Sequence, residues 1–216
     1  MEKKNKKALV WGASLLTAFV LWTVLVCFVD VQAIGPEGSS VGFATLNGYV
    51  HDLTGVNMSL YVITDWLGLV PIGTAFGFAI LGLVQWIKRK SLLKVDRSIL
   101  LLGGFYIVVM AVYMFFEMVV INYRPTLIDG CLEVSYPSST TMLVMCVMPT
   151  VMMQLHSRIK NDVFRRWVMI AITVFITFMV IGRLMSGVHW ITDIIGGALI
   201  SSATVLMYYV AMSYKR

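Results

Sequence analysis

Six runs of about twenty mostly apolar residues take up nearly the whole chain: Ala8–Val29, Met58–Ile87, Ser98–Ile121, Ser138–Leu155, Trp167–Val188 and Trp190–Met212. At about 1.5 Å of rise per residue, each can cross the roughly 30 Å of bilayer hydrocarbon as an α-helix. The connections leave no room for a separate soluble domain. The chain therefore reads as one all-α, polytopic membrane domain, a six-helix bundle spanning residues 1–216. Composition excludes the other classes. Hydrophobic residues are 59% and charged residues 13%, against roughly 45–50% and about 25% in soluble domains. A water-soluble fold of this size cannot hide so much apolar surface, and a disordered chain has the opposite balance. Cys27, Cys131 and Cys146 are too few and too far apart for a disulfide scaffold.

The first run follows Lys3, Lys4, Lys6 and Lys7, and Val31-Gln32-Ala33 looks like a cleavage site. Its 22 apolar residues exceed the roughly 7–15 of a signal peptide, so it is read as a retained helix. The cations then set the orientation. Four lie at the N-terminus. Lys88, Arg89, Lys90, Lys94 and Arg97 join spans two and three. Arg158, Lys160, Arg165 and Arg166 join spans four and five, and Lys215 and Arg216 end the chain. Fifteen of the 17 Lys and Arg thus fall on one side, which the positive-inside rule makes cytoplasmic. Both termini are expected on that side. The net charge of +6 is accounted for without any nucleic acid.

Arg124 and Arg183 are the two cations on the other face. Long side chains at helix ends snorkel, but neighbouring residues make an anion site the sharper reading. His189 and Asp193 are spaced i, i+4 and share a face on a helix starting near His189. A carboxylate there can hold one imidazole nitrogen and leave the other free as nucleophile or base. Ser186-Gly187 reads as a turn folding Arg183 back toward His189. A guanidinium beside such an imidazole suits a phosphoryl group. Pro125 ends span three and leaves Arg124 at the membrane surface. Span four opens with Tyr136-Pro137-Ser138-Ser139-Thr140, in which Ser138 or Ser139 is the N-cap. A helix N-terminus with free N–H groups and hydroxyls attracts anions.

With these residues in this order, the chain resembles the type 2 phosphatidic acid phosphatase superfamily. Its membrane members have six helices and three motifs: Lys-x6-Arg-Pro, Pro-Ser-Gly-His and Ser-Arg-x5-His-x3-Asp. Arg183, His189 and Asp193 match the third, with Gly182 in place of the serine. Arg124-Pro125 match the first and Pro137-Ser138 the second. The resemblance implies that His189 attacks phosphorus to form a phosphohistidine and that Asp193 orients it. It also implies that Arg124, Arg183, Ser138, Ser139, Thr140 and nearby N–H groups hold phosphoryl oxygens. No cofactor and no metal are implied. The partner would be a phosphorylated or diphosphorylated lipid, met by a multi-pass cell-membrane protein whose active site faces outward.

Two departures from the pattern matter. Glu117 stands where the first motif has lysine, and Thr140 where the second has the histidine that protonates the leaving oxygen. A hydroxyl is a poor acid at neutral pH, and general-acid help is worth about 10²–10⁴ in rate. An isoprenoid diphosphate, which expels a phosphate ester, needs that acid less. Glu117, two helical turns before Arg124, reads either as a substitute acid or as the ion-pair partner of an arginine. Hydrolysis of a lipid phosphate or isoprenoid diphosphate at the outer leaflet is the leading expectation. A lipid phosphotransferase using the same histidine and a decayed lipid-phosphate binder are the alternatives. A transporter is disfavoured, because transport sites lie near the midplane. Asp65 is read as a pairing or lining residue, His51 as a solvated loop histidine, His156 as remote from the chemistry. A Cys27–Cys131 disulfide is geometrically open, and the 15 methionines are read as gap-fillers.

Overall fold

The computed structural model describes residues 3–214, so the expected C-terminal cations Lys215 and Arg216 lie outside the described residues. It contains eight α-helices: α1 (Lys3–Phe28), α2 (Ala44–Thr54), α3 (Met58–Leu67), α4 (Leu69–Arg89), α5 (Arg97–Met118), α6 (Ser139–Arg158), α7 (Asp162–Met185) and α8 (Ile191–Ser213). Among the described residues there is no strand, only isolated bridges such as Tyr123 with Val134.

Polarity is arranged inside out relative to a soluble globule. Ile107 is 71% exposed and Phe76 66%, whereas Asn47, Ser138, Gln154, Arg183 and Asp193 are almost wholly buried. A bilayer gives apolar side chains nothing to escape from and leaves polar ones only each other. Two apolar clusters fill the interior. One joins Phe19 and Val26 of α1, Leu102 and Phe105 of α5, and Ile200 and Tyr208 of α8. The other joins Val144, Val147 and Val151 of α6 to Ile172 and Met179 of α7.

Five stretches have the length and apolarity to cross a membrane: Lys3–Phe28, Met58–Arg89, Arg97–Met118, Asp162–Met185 and Ile191–Ser213. The sequence leads to six. The difference is α6, the counterpart of the expected fourth span. Packed against α4, α5, α7 and α8, it is shielded from lipid and carries polar groups that its neighbours satisfy. Thr150 Oγ1 lies 3.1 Å from Tyr106 Oη, and Gln154 donates to Tyr208 Oη at 2.8 Å. A helix surrounded by protein needs no apolar outer face.

The second expected span divides at Gly68 into α3 and α4. Pro71, in the first turn of α4, has no N–H for the Leu67 carbonyl, and the Gly68 N–H closes the turn on the carbonyls of Thr64 and Asp65 at 3.0 Å each. The connection after α1 is not a plain loop, since it holds α2. Asp30 accepts from the Thr45 N–H at 2.7 Å at the start of that helix.

At the end of the bundle where α6 and α8 begin, two glycines let the chains meet. A Cβ on Gly196 would fall 2.7 Å from the Tyr136 ring, and one on Gly197 3.1 Å from the Ser138 carbonyl. That closeness lets the Ser138 N–H donate to the Asp193 carbonyl at 3.0 Å.

Candidate active site

α7 ends in a tight turn. Ser186 Oγ donates to the Arg183 carbonyl at 2.7 Å. Gly187 follows at φ +66°, where a Cβ would fall 1.9 Å from the Gly55 carbonyl oxygen. Only glycine fits both the angle and the contact. The chain then runs through His189 to Trp190, the N-cap of α8. In the first turn of α8, Asp193 Oδ2 accepts the Trp190 N–H at 3.0 Å. The Thr192 N–H donates to Asn47 Oδ1 at 3.3 Å, so α2 helps satisfy the helix start.

His189 sits two residues before α8 rather than on it. Its Nδ1 is 3.9 Å from Asp193 Oδ2, beyond a hydrogen bond. Ser135 fills the gap: its Oγ lies 3.0 Å from His189 Nδ1 and donates to Asp193 Oδ2 at 2.5 Å. Asn122 Nδ2 donates to the other carboxylate oxygen at 3.2 Å. His189 Nε2 is buried and makes no hydrogen bond among the described residues.

Two guanidiniums lie close enough for their charges to act on His189. Arg183, 1% exposed, places Nη1 3.3 Å from Thr64 Oγ1 and 3.6 Å from Asp65 Oδ1. Arg124, 8% exposed, is held by its own N–H, which donates to the Glu133 carbonyl at 2.9 Å. Its Nε lies 2.9 Å from Glu133 Oε2, an ion pair without hydrogen-bond geometry. Both guanidiniums lie over the Tyr61 ring, at 4.9 Å for Arg183 and 5.9 Å for Arg124. Arg183 Nε and Arg124 Nη1 are buried without a hydrogen-bond partner among the described residues. Burial, reinforced by the charges of Arg124 and Arg183, holds the His189 pKa well below the ordinary 6.5, with Ser135 pulling weakly the other way. The ring is therefore neutral, the form with a free lone pair. A buried neutral imidazole beside two unsaturated guanidiniums is built to meet a phosphoryl group.

The sequence profile of the PAP2 superfamily matches residues 103–216. This chain belongs to the PAP2 superfamily. Among solved structures, it is similar to one described as the first transmembrane PAP2 type phosphatidylglycerolphosphate phosphatase from Bacillus subtilis. The two share 17% identity with a TM-score of 0.66, over 95% of this chain and 98% of that one. At that identity the likeness is one of fold, that of a multi-pass membrane protein. No curated protein matches the chain.

The PAP2 fold brings Arg124, Arg183, His189 and Asp193 together as the sequence leads one to expect. Ser138 caps α6, but its hydroxyl is engaged within its own helix, 3.0 Å from Thr141 Oγ1, and its N–H goes to Asp193. The N–H groups left to an anion there are those of Ser139 and Thr140 in the first turn. Glu117 is exposed on the last turn of α5 and lines a narrow cleft with Ser135, Tyr136 and Ser139. It makes no ion pair among the described residues, so the ion-pair reading of Glu117 is corrected: the acid beside Arg124 is Glu133. Asp65 does pair, with Arg183.

His51 is not a solvated loop residue. It sits in α2, half-buried, with its ring centroid 5.5 Å from that of Trp190, and burial lowers its pKa against a smaller upward pull from Asp52. Cys27 and Cys131 are free, so the disulfide left open by the sequence is not made. Sequence reasoning missed Ser135, Asn122, Tyr61, Thr64 and Glu133. The one signal available for Ser135 was its position three residues ahead of Ser138, a polar residue beside a recognised motif.

Proposed function

We propose that this PAP2 superfamily member is a membrane lipid phosphatase that works through a phosphohistidine on His189. The carrying observation is the buried, unpartnered His189 Nε2 beside Arg124 and Arg183, with Nδ1 held from behind. In the first step the Nε2 lone pair forms the N–P bond while the bond to the leaving oxygen breaks and its electrons go with that oxygen. In the second, water attacks phosphorus, the N–P bond returns its pair to Nε2, and the proton of the water leaves with phosphate. The two guanidiniums neutralise the equatorial oxygens, the work that fixed cations do in phosphoryl transfer. The chemistry calls for no metal.

In this reading α6 crosses the bilayer with the other five stretches, both termini are cytoplasmic, and the site faces the outer leaflet of the cell membrane. The distribution of cations supports that orientation. The substrate is a lipid phosphate, with an isoprenoid diphosphate favoured because Thr140 cannot serve as acid and a phosphate leaving group needs little protonation. Glu117, which lines a cleft with Ser135 and Ser139, is the carboxyl this reading assigns to protonate a poorer leaving group.

The test is phosphate release by the purified chain from farnesyl diphosphate and from phosphatidic acid, without added metal. Native protein should release phosphate, and His189→Ala should abolish it. Release unchanged in that variant sinks the mechanism. Native protein that binds these lipids without turnover, and gains activity only as Glu117→Lys/Thr140→His, is a decayed binder. Labelled phosphate appearing on an added alcohol in place of water marks a phosphotransferase.

A further inference from the structure

Among the described residues, Ser135 is the side chain that touches both His189 and Asp193, and it is 2% exposed. A hydroxyl has one proton to give. Here that proton goes to Asp193 Oδ2 at 2.5 Å. The carboxylate cannot return the favour, since its other neighbours, Asn122 Nδ2 and the Trp190 N–H, are also donors. Ser135 Oγ, 3.0 Å from His189 Nδ1, is thereby restricted to accepting. It follows that Nδ1 carries the imidazole proton and Nε2 the lone pair. The direction of the chain is fixed at its far end by three donors converging on one carboxylate.

We propose that Ser135 is a positioning residue for phosphoryl transfer, locking His189 in the tautomer with Nε2 free and relaying the charge of Asp193 to the ring. The proposal rests on the phosphohistidine reading above. When Nε2 bonds to phosphorus, no proton leaves the ring. Nδ1–H stays in place, the ring turns cationic, and Ser135 Oγ is the acceptor that meets the newly acidic N–H. Asp193, 3.9 Å away, cannot meet it directly. A fold role alone does not account for the side chain: the Ser135 backbone is held separately by its N–H, which donates to the Asn122 carbonyl at 2.9 Å. Removing Oγ therefore leaves the segment anchored.

The experiment uses the full chain in detergent, with farnesyl diphosphate carrying ³²P in its terminal phosphate and alkaline quenching to trap phosphoenzyme. Ser135→Ala and the near-isosteric Ser135→Cys, a poor acceptor, should each lower kcat about 10²-fold, with KM within about twofold and phosphoenzyme formation slowed by the same factor. Ser135→Ala/Asp193→Asn should be no slower than the worse single variant, as expected for residues acting through one chain. A kcat within about threefold of native in Ser135→Cys, or losses that multiply in the double variant, overturns the proposal.

The ¹⁵N spectrum of the labelled histidines reads the tautomer directly, with or without turnover. Native His189 should be protonated at Nδ1, with a mixture in Ser135→Ala, and a native ring protonated at Nε2 overturns the proposal. Turnover that survives His189→Ala removes the underlying reading instead, so the two failures are distinguishable.

Discussion

Every polar side chain from Arg183 to Asp193 in the α7–α8 turn is buried, whereas the α5–α6 segment mixes buried Asn122, Ser135 and Ser138 with an exposed Glu117 and a half-exposed Glu133. A buried polar group costs free energy unless it is partnered, so a change at one strands those it bonds. An exposed carboxylate at Glu117 makes no such demand. Departures from the superfamily pattern occur in both halves. The half that carries the proposed nucleophile keeps its arginine, histidine and aspartate and departs at Gly182, whereas Glu117 and Thr140, the departures that bear on the chemistry, lie in the other half.

Arg183→Lys should break the contrast most forcefully. Arg183 is pinned by Thr64 and the Tyr61 ring, and lysine loses the fork, so kcat/KM should fall about 10³-fold, about 4 kcal/mol. Arg124→Lys, nearer solvent, should cost only about tenfold. Equal losses in the two would show that burial does not divide the site.

Gly187→Ala comes next. It combines a left-handed φ with a Cβ 1.9 Å from the Gly55 carbonyl, and should destabilise by about 3 kcal/mol in thermal unfolding in detergent. Thr140→His should raise turnover of phosphatidic acid about 10²-fold while leaving farnesyl diphosphate nearly unchanged. An equal gain on both substrates would remove the leaving-group argument. Gly130→Ala is the mild counterpart of Gly187→Ala in the α5–α6 segment. Its φ of +76° is strained for alanine, but nothing lies within 4 Å of the added Cβ, so the loss should stay near about 1 kcal/mol.

The legible parts of the molecule were those written in local pattern. Length and apolarity gave most of the long helices, and the spacing Arg183–His189–Asp193 pointed to three residues that the fold brings together. The illegible parts depend on long-range contacts. Tyr61 and Thr64 meet Arg183 across more than a hundred residues, and Ser135 meets His189 across 54. No periodicity records such pairings. The same cause weakened the reading of α6. Hydropathy measures fitness for lipid, and Thr150 and Gln154 answer to Tyr106 and Tyr208 instead. The break at Gly68 was local, with Pro71 in plain view, but apolar length alone hid it.

The Tyr61 ring has a wider consequence. Two like charges held close in a medium of low dielectric repel strongly, and an aromatic face is one of the few neutral surfaces that attracts a cation. With its ring near both Arg124 and Arg183, and with Glu133 and Asp65 each pairing one of them, Tyr61 helps hold two guanidiniums close together. The electrostatic work of assembling them is done during folding, so a site of the kind proposed would present its field before any anion arrives.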